Sequence, residues 1–570
     1  MQNDTVNLNV RSKAQNTYDA IVVGSGISGG WAAKELCEKG LKTLVLERGR
    51  QVEHIKDYPT ATTNPWEFPH RDRVSNQQKK DQHIQIRGFT TEHNAHFFVN
   101  DLEHPYVQIK PFDWIRGYQV GGRSLVWGRQ CYRWSDLDFE ANIKDGYGVD
   151  WPIRYKDIAP WYSHVEKFVG ISGSLEGMPQ LPDGEFLPPM ELNCLERHVA
   201  DQIKKTFTDG RRMIPGRVAN LTKGWNGRGP CQFRNQCDRG CPFGGYFSSN
   251  SATLPVAAAT GKMTLRPHAI VMEVLYDQEQ KRATGVRIID ELTKQTEEYF
   301  AKVIFLCASA MGSTYIMLNS KSEAFPNGLG NSSDQIGRNL MDHHYHVGAY
   351  GVYEGFQDNY FYGRRPNGVY VPRFRNLTDS DQRKDYLRGF GYQGGASRPV
   401  PAQAEGIGAE LKAQLMEPGP WVFWLGGWGE HLPYADNTIS LHTAEKDQWG
   451  LPLLAVSCTF RENEMAMRQD IMDCAAEMLE SGGLKNISTF NDAQAYPGLC
   501  IHEMGTARMG RDPKTSVLNG WNQMHDVPNV FNTDGACMTS SANQNPSITY
   551  MALTARAANY AYEELKKGNL

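Results

Sequence analysis

Residues 18 to 47 read YDAIVVGSGISGGWAAKELCEKGLKTLVLE, which is a strand, a glycine loop, a helical pattern and a second strand. The first strand, Ala20-Ile21-Val22-Val23, leads into Gly24-Ser25-Gly26-Ile27-Ser28-Gly29, and the second, Thr43-Leu44-Val45-Leu46, ends on Glu47. In such a loop the first glycine allows the tight turn, the second lets the backbone approach a pyrophosphate, and the third lets the helix pack closely on the strand. The unit predicts a Rossmann-like fold with a dinucleotide site.

The acidic residue at the end of the second strand is the other half of this fingerprint. Glu47 is placed to accept hydrogen bonds from an adenosine ribose, because a carboxylate suits a 2′-hydroxyl and repels a 2′-phosphate. With 55 glycines in 570 residues, a chance glycine turn is the alternative. The strand before the loop, the helical pattern after it and the acid favour a nucleotide site, and Glu47 disfavours NADP.

The composition is that of a globular protein with more than one core. Of the 570 residues, 40% are hydrophobic and 22% charged, and the formal net charge is −4. No Lys/Arg block is present, so the chain lacks the electrostatic footprint of a nucleic-acid-binding protein. The first 17 residues are polar and no run of 18 apolar residues occurs, so we expect neither a Sec-type signal nor a membrane span.

The pattern changes along the chain, and the nucleotide-binding domain is predicted to be discontinuous. Both ends have α/β character, whereas residues 343 to 495 carry short aromatic-rich runs that favour antiparallel strands. The polar stretch from Tyr58 to His96 predicts an excursion or lid. The nucleotide domain is predicted to comprise residues 1–57, 111–342 (with a Cys-rich loop at 231–241) and 496–570, interrupted by the excursion or lid at 58–110 and by a substrate-binding domain at 343–495.

Three further segments resemble the motifs of one enzyme family, the glucose-methanol-choline (GMC) oxidoreductases. Gly117 to Gly128 (GYQVGGRSLVWG) is similar to the family's flavin-contacting loop, and Gly337 to His343 (GRNLMDH) to its crossing into the substrate domain. His502 to Gly510 (HEMGTARMG), with the later Asp534-Gly535 and the run Asn545 to Thr549, resembles its carboxy-terminal signature. The resemblance implies the α/β GMC fold: a discontinuous Rossmann-like FAD-binding domain plus a substrate domain with a largely antiparallel sheet.

By this resemblance the cofactor is FAD. Relatives with covalently attached flavin carry a His two residues after the position of Ser124, whereas this chain has Val126, so we expect non-covalent FAD. The ADP half is expected against Gly24, Gly26, Gly29 and Glu47, with Val271 near the adenine. The other residues expected to bind the cofactor, several of them toward the pyrophosphate and the isoalloxazine, are Gly121, Gly122, Ser124, Ala308, Asp534, Gly535, Asn545 and Thr549.

Alcohol oxidation needs a base with a pKa near the working pH and a second group that orients the oxygen. His502 matches the family's catalytic His, and Asn545 matches the second position, where members hold His or Asn. A satisfied interior histidine is the alternative for His502, and the surrounding nine-residue motif favours catalysis. The cluster His343, His344 and His346 offers nitrogen ligands for a metal, but no acid cluster accompanies it, so packing and hydrogen bonding are favoured.

Three of the eleven cysteines lie close together, in CQFRNQCDRGCP from Cys231 through Cys237 and Cys241 to Pro242. Iron–sulfur clusters are held by thiolates from such short-spaced runs, often with Pro after the last Cys. The loop also resembles that of multi-subunit bacterial FAD sugar dehydrogenases, where three cysteines hold a 3Fe-4S cluster. The alternatives are a disulfide with one free thiol, or three loop cysteines without metal. Scattered cysteines such as Cys37, Cys307 and Cys474 are predicted to be buried thiols.

The resemblance is greatest to the flavoprotein large subunits of gluconate and glucoside 3-dehydrogenases. It implies oxidation of a pyranose ring hydroxyl of a mono- or disaccharide or glycoside, with C3 favoured and a 3-keto glycoside as product. Electrons would leave through the cluster to a separate c-type cytochrome, since the chain has no CxxCH sequence. A small subunit with an export signal would carry the chain to the periplasm, the alternative being a cytoplasmic protein.

Two rival functions stay open at this point. One is a cluster-free pyranose or C-glycoside oxidase that makes hydrogen peroxide, and the other a non-redox lyase or carbohydrate-binding protein on a flavin fold. The aromatic run with Trp421, Trp424 and Trp428 has a spacing that can stack on sugars, but such runs are more often core, so none of the three is assigned to the site.

Overall fold

The structure is a computed structural model that describes residues 16–360, 368–399 and 406–570. Most of the polar amino terminus, residues 1–15, lies outside the described residues, so the expectation about an export signal is not addressed by it. The described strands are β1 Thr17–Val23, β2 Thr43–Leu46, β3 Val107–Gln108, β4 Ile214–Pro215, β5 Met263–Arg266, β6 Ala269–Asp277, β7 Arg282–Asp290, β8 Thr296–Leu306, β9 Val347–Tyr353, β10 Val369–Val371, β11 Phe390–Ser397, β12 Trp421–Gly429, β13 Thr438–Lys446, β14 Pro452–Ser457, β15 Lys485–Asn491 and β16 Val530–Asn532.

The α-helices vary from single turns to more than five turns. In the described ranges they are α1 Ile27–Glu38, α2 Asn76–Asp81, α3 Asp136–Phe139, α4 Ala141–Asp145, α5 Tyr155–Val169, α6 Cys194–Thr206, α7 Thr253–Ala259, α8 Ser309–Asn319, α9 Ala409–Met416, α10 Glu462–Ser481 and α11 Ser547–Lys567. None of the helices described is both long and apolar enough to cross a bilayer.

The nucleotide-type sheet has seven strands in the order β5-β2-β1-β8-β7-β6, with β16 also on β8. The strands β5, β2, β1, β8 and β16 are parallel, whereas β6, β7 and the start of β8 form an antiparallel meander. All four side chains from Ala20 to Val23 are buried, although they point alternately to the two faces of the sheet, because helices cover the sheet, α1 and α11 among them. Chain segments more than 500 residues apart thus share one sheet, as expected of a discontinuous domain.

A second sheet of six strands, in the order β15-β9-β12-β11-β10-β4, is antiparallel at every pairing. Helix α10 packs on it through Met467 and Ile471, and helix α6 adds Val199 to the same core. The predicted nucleotide-domain segment 111–342 therefore contributes α6 and β4 to this second lobe. Residues 343 to 495 do supply the antiparallel strands that the sequence predicts, and the mixed α/β architecture of the GMC fold is confirmed.

Within residues 343 to 495, strands β13 and β14 lie outside the six-stranded sheet and form a separate three-stranded sheet, β13-β14-β3. This small sheet packs against β6, β7 and α8 through Ile439 and Val456. One of its strands, β3, comes from the predicted excursion 58–110. That excursion also contributes Phe89 and His104 to the wall of the main cavity.

Candidate active site

A cavity of about 450 Å³ lies where the carboxyl ends of β1, β2 and β8 face the antiparallel lobe. One end is formed by the glycine loop after β1, by Glu47 and by Val271, and the other by His502 and Asn545. The carboxyl edge of a parallel sheet is where ligands bind in doubly wound folds. Eleven of the sequence-predicted site residues line it: Gly24, Gly26, Glu47, Gly122, Ser124, Val271, Ala308, His502, Asp534, Gly535 and Asn545.

The first glycine loop has the geometry that a pyrophosphate requires. Gly24 has a φ of +96°, and a Cβ on Gly29 would lie 1.9 Å from the Gly24 carbonyl oxygen, so both positions require glycine. Helix α1 begins at Ile27, directly after Gly26, and no side chain caps its amino terminus. Its first N–H groups are therefore free to bind an anion. A Cβ on Gly26 would meet no protein atom within 4 Å, which leaves room beside the loop for a bound pyrophosphate.

Glu47 connects this loop to the second glycine loop. Its carboxylate accepts hydrogen bonds from the Ser25 hydroxyl at 2.5 Å, the Ser25 N–H at 3.1 Å and the Gly49 N–H at 3.1 Å. The Ser25 hydroxyl oxygen in turn accepts from the Gly121 N–H at 2.9 Å. Burial raises the pKa of Glu47, and the three hydrogen bonds oppose that rise. Glu47 thus lines the cavity as a rigid acceptor at the end of β2.

The second glycine loop turns the backbone toward the cavity. Gly121 and Gly122 have φ of +91° and +50°, and a Cβ on Gly121 would lie 1.7 Å from the side chain of Asn250. The Ser124 hydroxyl donates to the Gly121 carbonyl at 2.5 Å and accepts from the Ser249 N–H at 3.0 Å. Gly121 therefore shapes the loop from behind the cavity wall. Val126, where covalent-flavin relatives carry His, lines the cavity with an apolar side chain.

The remaining cofactor-side wall comes from the carboxy-terminal region. Asp534 accepts hydrogen bonds from the Ala536 N–H at 3.0 Å and from the Asn532 amide at 3.2 Å, and Ser313 donates to its other oxygen. Burial raises the pKa of Asp534 to about 6. Helix α11 starts at Ser547 beside it, without a side-chain cap. The hydroxyl of Thr549 pairs with Tyr162 at 2.8 Å, and Thr549, a sequence-predicted cofactor residue, does not line the cavity.

His502 and Asn545 meet at the far end of the cavity. The side-chain nitrogen of Asn545 lies 3.4 Å from Nε2 of His502. On its other side, Nδ1 of His502 lies 2.8 Å from Nδ1 of His343 and 3.3 Å from Sγ of Cys500. Burial, the neighbouring His343 and the positive Arg123 hold the pKa of His502 well below its usual range. His502 is therefore a neutral imidazole, the form that accepts a proton, although its pKa in the FAD-free protein lies further below the working pH than is expected of such a base from the sequence.

Backbone pairing explains why His343 and His502 meet across 159 positions. Met341 and Met504 exchange two backbone hydrogen bonds as an antiparallel bridge, which sets residue 343 opposite residue 502. The buried carboxylate of Asp342 then accepts the N–H groups of Gly498, Cys500 and His502 at 2.7, 3.2 and 3.0 Å. The family-like segments 337–343 and 502–510 thus form one support for the imidazole.

Several cavity residues carry chemistry that the sequence prediction did not assign. Gln393 on β11 donates to the side-chain oxygen of Asn545 at 2.7 Å. Trp428 on β12 is stacked on Tyr345, with ring centroids 5.7 Å apart and planes at 28°, and both line the cavity. Arg123 forms a bidentate ion pair with Glu503, with hydrogen bonds of 3.1 and 2.9 Å. Arg123 and Glu503 lie within the quoted motifs, but nothing in the sequence places Gln393 near Asn545.

Strand alternation separates the three tryptophans of β12. Trp421 is fully buried in the core of the second lobe, together with Phe423 and Leu425. Trp424 lies on the opposite face, where 37% of it is exposed, and does not line the cavity. Trp428 is on the face of Trp424 but at the cavity end of the strand. Of these three tryptophans, Trp428 is therefore the one placed to contact a substrate.

The cysteine loop lies behind the cavity wall. Cys231, Cys237 and Cys241 are half-buried free thiols, and two accept backbone N–H groups, Phe233 to Cys231 at 3.4 Å and Gly245 to Cys241 at 3.3 Å. Arg129 lines the cavity and donates to the Cys237 carbonyl at 3.2 Å. Burial raises the pKa of Cys231 to about 11, so metal binding there would release a proton.

A compact group of possible metal ligands lies elsewhere in the described residues. The one trio of His, Cys, Asp or Glu among them with ligand atoms mutually within 4.8 Å is His343, Cys500 and His502. The three loop cysteines are not so close together. This spacing does not contradict a three-iron cluster, in which each thiolate binds a different iron, and N–H donors to sulfur are among the features that tune such clusters. The donor set fits a cluster in its chemistry, and the cluster stays a prediction.

Comparison with known proteins adds a family to this geometry. The two GMC oxidoreductase family models match residues 18–345 and 433–554. A 2-methyl-1,2-propanediol dehydrogenase of Mycolicibacterium austroafricanum is 29% identical, over 95% of this chain and 94% of its own. A fructose dehydrogenase large subunit of Gluconobacter japonicus is 26% identical, over 96% and 98%.

A solved structure agrees with the sequence comparison in its fold. Pyridoxine 4-oxidase from Mesorbium loti superposes with a TM-score of 0.60 at 15% identity, over 95% of this chain and 98% of that one. Matches to both family models cover more than half of the chain, so the resemblance found in the sequence is confirmed. The chain belongs to the GMC oxidoreductase family, whose members use FAD to oxidise CH–OH groups.

Proposed function

We propose that the chain is the catalytic flavoprotein subunit of a sugar or glycoside dehydrogenase. The observation that carries the proposal is the cavity itself, which joins the dinucleotide loop and Glu47 at one end to the His502–Asn545 pair at the other. Gly24, Gly26, Gly29, Glu47 and the start of helix α1 would hold the ADP half of FAD. FAD bound there supplies the acceptor for the hydride that leaves the substrate carbon.

Residues of the chain itself would remove the hydroxyl proton and hold the substrate oxygen. Nε2 of His502 takes the hydroxyl proton, because burial keeps the imidazole neutral and its lone pair faces the cavity. In the protein without substrate the amide nitrogen of Asn545 lies 3.4 Å from Nε2 and points an N–H at its lone pair. With substrate bound, the same amide would donate to the substrate oxygen instead. A donor aimed at this oxygen stabilises the negative charge that develops as the proton leaves. The positive charge of Arg123, which lowers the pKa of His502, is paired with the carboxylate of Glu503.

A pyranose ring is the substrate class that the cavity wall supports. The stacked pair of Trp428 and Tyr345 offers a flat apolar surface next to polar Gln393 and Asn545, the combination that binds a sugar face and its hydroxyls. The relative named as a fructose dehydrogenase large subunit supports the sugar class and a partner subunit. We favour oxidation at C3 to a 3-keto glycoside. The relative named as a propanediol dehydrogenase makes a small diol the second candidate.

Electron exit through the cysteine loop completes the proposal. A 3Fe-4S cluster on Cys231, Cys237 and Cys241 would lie behind Arg129, one residue from the cavity. Electrons would pass from FAD to this cluster and on to a separate c-type cytochrome. A small subunit with an export signal would bring the chain to the periplasm. Val126 in the cavity wall supports FAD that is bound without a covalent link to that position.

Anaerobic reduction identifies the substrate. FAD-loaded protein is mixed without dioxygen with methyl glucosides, fructose, gluconate and 2-methyl-1,2-propanediol, and the flavin absorbance band is followed. We expect a glycoside to bleach the band fastest, and NMR of the product to show a carbonyl at C3. Bleaching by the diol alone would replace the sugar proposal, and no bleaching by any CH–OH compound would favour a non-redox role.

Iron analysis separates a dehydrogenase from a peroxide-forming oxidase. Protein purified anaerobically is assayed for iron, acid-labile sulfide and peroxide formed per sugar oxidised. We expect iron and sulfide in the wild type, neither in Cys241→Ser, and both in Cys194→Ser, a control thiol outside the loop. Absence of iron together with stoichiometric peroxide would establish the oxidase.

A further inference from the structure

Five groups form one continuous hydrogen-bond chain beneath the cavity. Nε2 of His343 lies 2.6 Å from the Ala542 carbonyl oxygen, and Nδ1 of His343 lies 2.8 Å from Nδ1 of His502. Nε2 of His502 lies 3.4 Å from the amide nitrogen of Asn545, whose oxygen is 2.7 Å from the amide nitrogen of Gln393. The chain thus runs from a backbone carbonyl to a strand of the substrate lobe.

The carbonyl of Ala542 decides where the protons lie in this chain. A carbonyl only accepts, so Nε2 of His343 carries hydrogen and Nδ1 of the same ring presents a lone pair. Nδ1 of His502 faces that lone pair and must therefore carry the hydrogen, which leaves Nε2 of His502 as the basic nitrogen. Both rings are neutral, because burial lowers the pKa of His343 to about 4 and that of His502 well below its usual range.

The same logic continues through the two amides. Since Nε2 of His502 presents a lone pair, Asn545 turns its N–H toward it and its oxygen toward the substrate lobe. Gln393 then donates to that oxygen, which fixes the Asn545 amide against a flip. The Cys500 sulfur, 3.3 Å from Nδ1 of His502, is compatible because sulfur accepts weakly from the same N–H.

We propose that His343 and Gln393 are positioning residues that set the polarity of the catalytic pair: His343 holds His502 with its free nitrogen toward the substrate, and Gln393 holds Asn545 as a donor. The inference rests on the proposed oxidation only for its kinetic effect, since the proton positions exist in the protein without substrate. Gln393 lies on β11, so the antiparallel lobe sets the orientation of a residue in the cofactor-binding domain.

Matched variants separate polarity from size at each position. In His343→Asn the side-chain oxygen occupies the place of Nδ1 and still accepts from His502, whereas in His343→Gln the amide nitrogen replaces Nε2 and that acceptor is lost. In Gln393→Glu the new carboxylate can only accept, so the Asn545 amide turns its N–H toward residue 393 and its oxygen toward the lone pair of His502. Gln393→Met only removes the hydrogen bond to Asn545. His346→Asn is the control, because His346 pairs with Asp492 and is not part of the hydrogen-bond chain through His343 and His502.

The kinetic outcome is a drop in kcat rather than a rise in KM. We expect flavin reduction to slow by about 10²-fold in His343→Gln and in Gln393→Glu, the range for a misoriented base or a lost oxyanion donor. We expect His343→Asn and Gln393→Met to slow it by only about tenfold. Equal rates within each matched pair, with FAD content and melting temperature unchanged, would overturn the inference.

A nitrogen NMR spectrum tests the proton positions without any turnover. Protein labelled with ¹⁵N histidine shows different shifts and couplings for protonated and bare ring nitrogens, and the variants His502→Asn and His343→Asn assign the signals. We expect hydrogen on Nδ1 of His502 and on Nε2 of His343. Hydrogen on Nε2 of His502 would overturn the inference. The expected NMR pattern in a protein whose flavin no alcohol reduces would contradict the proposed function alone.

Discussion

Replacing Gly26 by Ala should separate the stability of the protein from its affinity for FAD. A Cβ at this position meets no protein atom within 4 Å, and φ is −67°, which any residue adopts. In the protein without FAD we therefore expect a gain of about 0.4 to 1 kcal/mol in the free energy of unfolding, because alanine restricts the unfolded chain. The new methyl group occupies the space beside the loop where the pyrophosphate is expected, so we expect FAD affinity to fall by at least about tenfold, or about 1.4 kcal/mol.

The matched comparison is Gly29→Ala, three residues along the same loop. Its Cβ would lie 1.9 Å from the Gly24 carbonyl oxygen, so this variant should lose stability even before FAD is added. Urea unfolding of the FAD-free proteins measures the first quantity, and fluorescence titration with FAD measures the second. FAD affinity within about twofold of wild type in Gly26→Ala, in protein at least as stable as wild type, would refute the placement of the pyrophosphate beside this loop.

Three further outcomes follow from burial and contact. Arg133→Met leaves the carboxylate of Glu166, which is 1% exposed, without its guanidinium and should lower the urea-unfolding free energy by about 3 to 5 kcal/mol; no change would contradict a buried pair. Unfolded His343 titrates near 6.5 and the folded residue near 4, so its contribution to stability is complete above pH 6.5, falls by about 1.4 kcal/mol per unit between pH 6.5 and about 4, and changes no further below that. Urea unfolding at several pH values should therefore show a steeper loss in wild type than in His343→Asn, and parallel curves would refute the shift. Trp428→Ala removes the ring stacked on Tyr345 and should raise KM for a glycoside by about tenfold with FAD affinity unchanged, whereas an unchanged KM would exclude the ring as a platform.

Local sequence patterns predict the parts of this structure that are built from residues close together in the chain. The strand, glycine loop and acid between Ala20 and Glu47 form one parallel βαβ unit, so spacing alone predicts the turn at Gly24 and the end of β2. Helix α1 begins at Ile27, within the loop motif, and because no side chain caps it, its amino terminus remains free for an anion. Family-like motifs added the remaining cofactor-side residues, including Asp534, which are far apart in the chain.

Contacts between lobes could not be predicted in the same way. Gln393 and Asn545 are 152 positions apart and meet because the middle of strand β11 lies over the cavity. Trp428 differs from Trp421 only by its face and its position along β12, which depend on the register of the sheet. The Thr549 side chain turns toward Tyr162 because a hydroxyl partner lies there on helix α5. Strand ends, register and cross-lobe partners are set by tertiary packing rather than by local spacing.

Single-turnover reduction of bound FAD tests the central claim most directly. Anaerobic mixing with a glycoside should bleach the flavin in wild type, more slowly when deuterium replaces hydrogen on the reacting carbon. In His502→Asn, loaded with the same amount of FAD, bleaching should slow by at least about 10²-fold because the base is gone. Wild-type and His502→Asn rates that agree, with full FAD occupancy in both, would contradict the role of His502 beside the flavin.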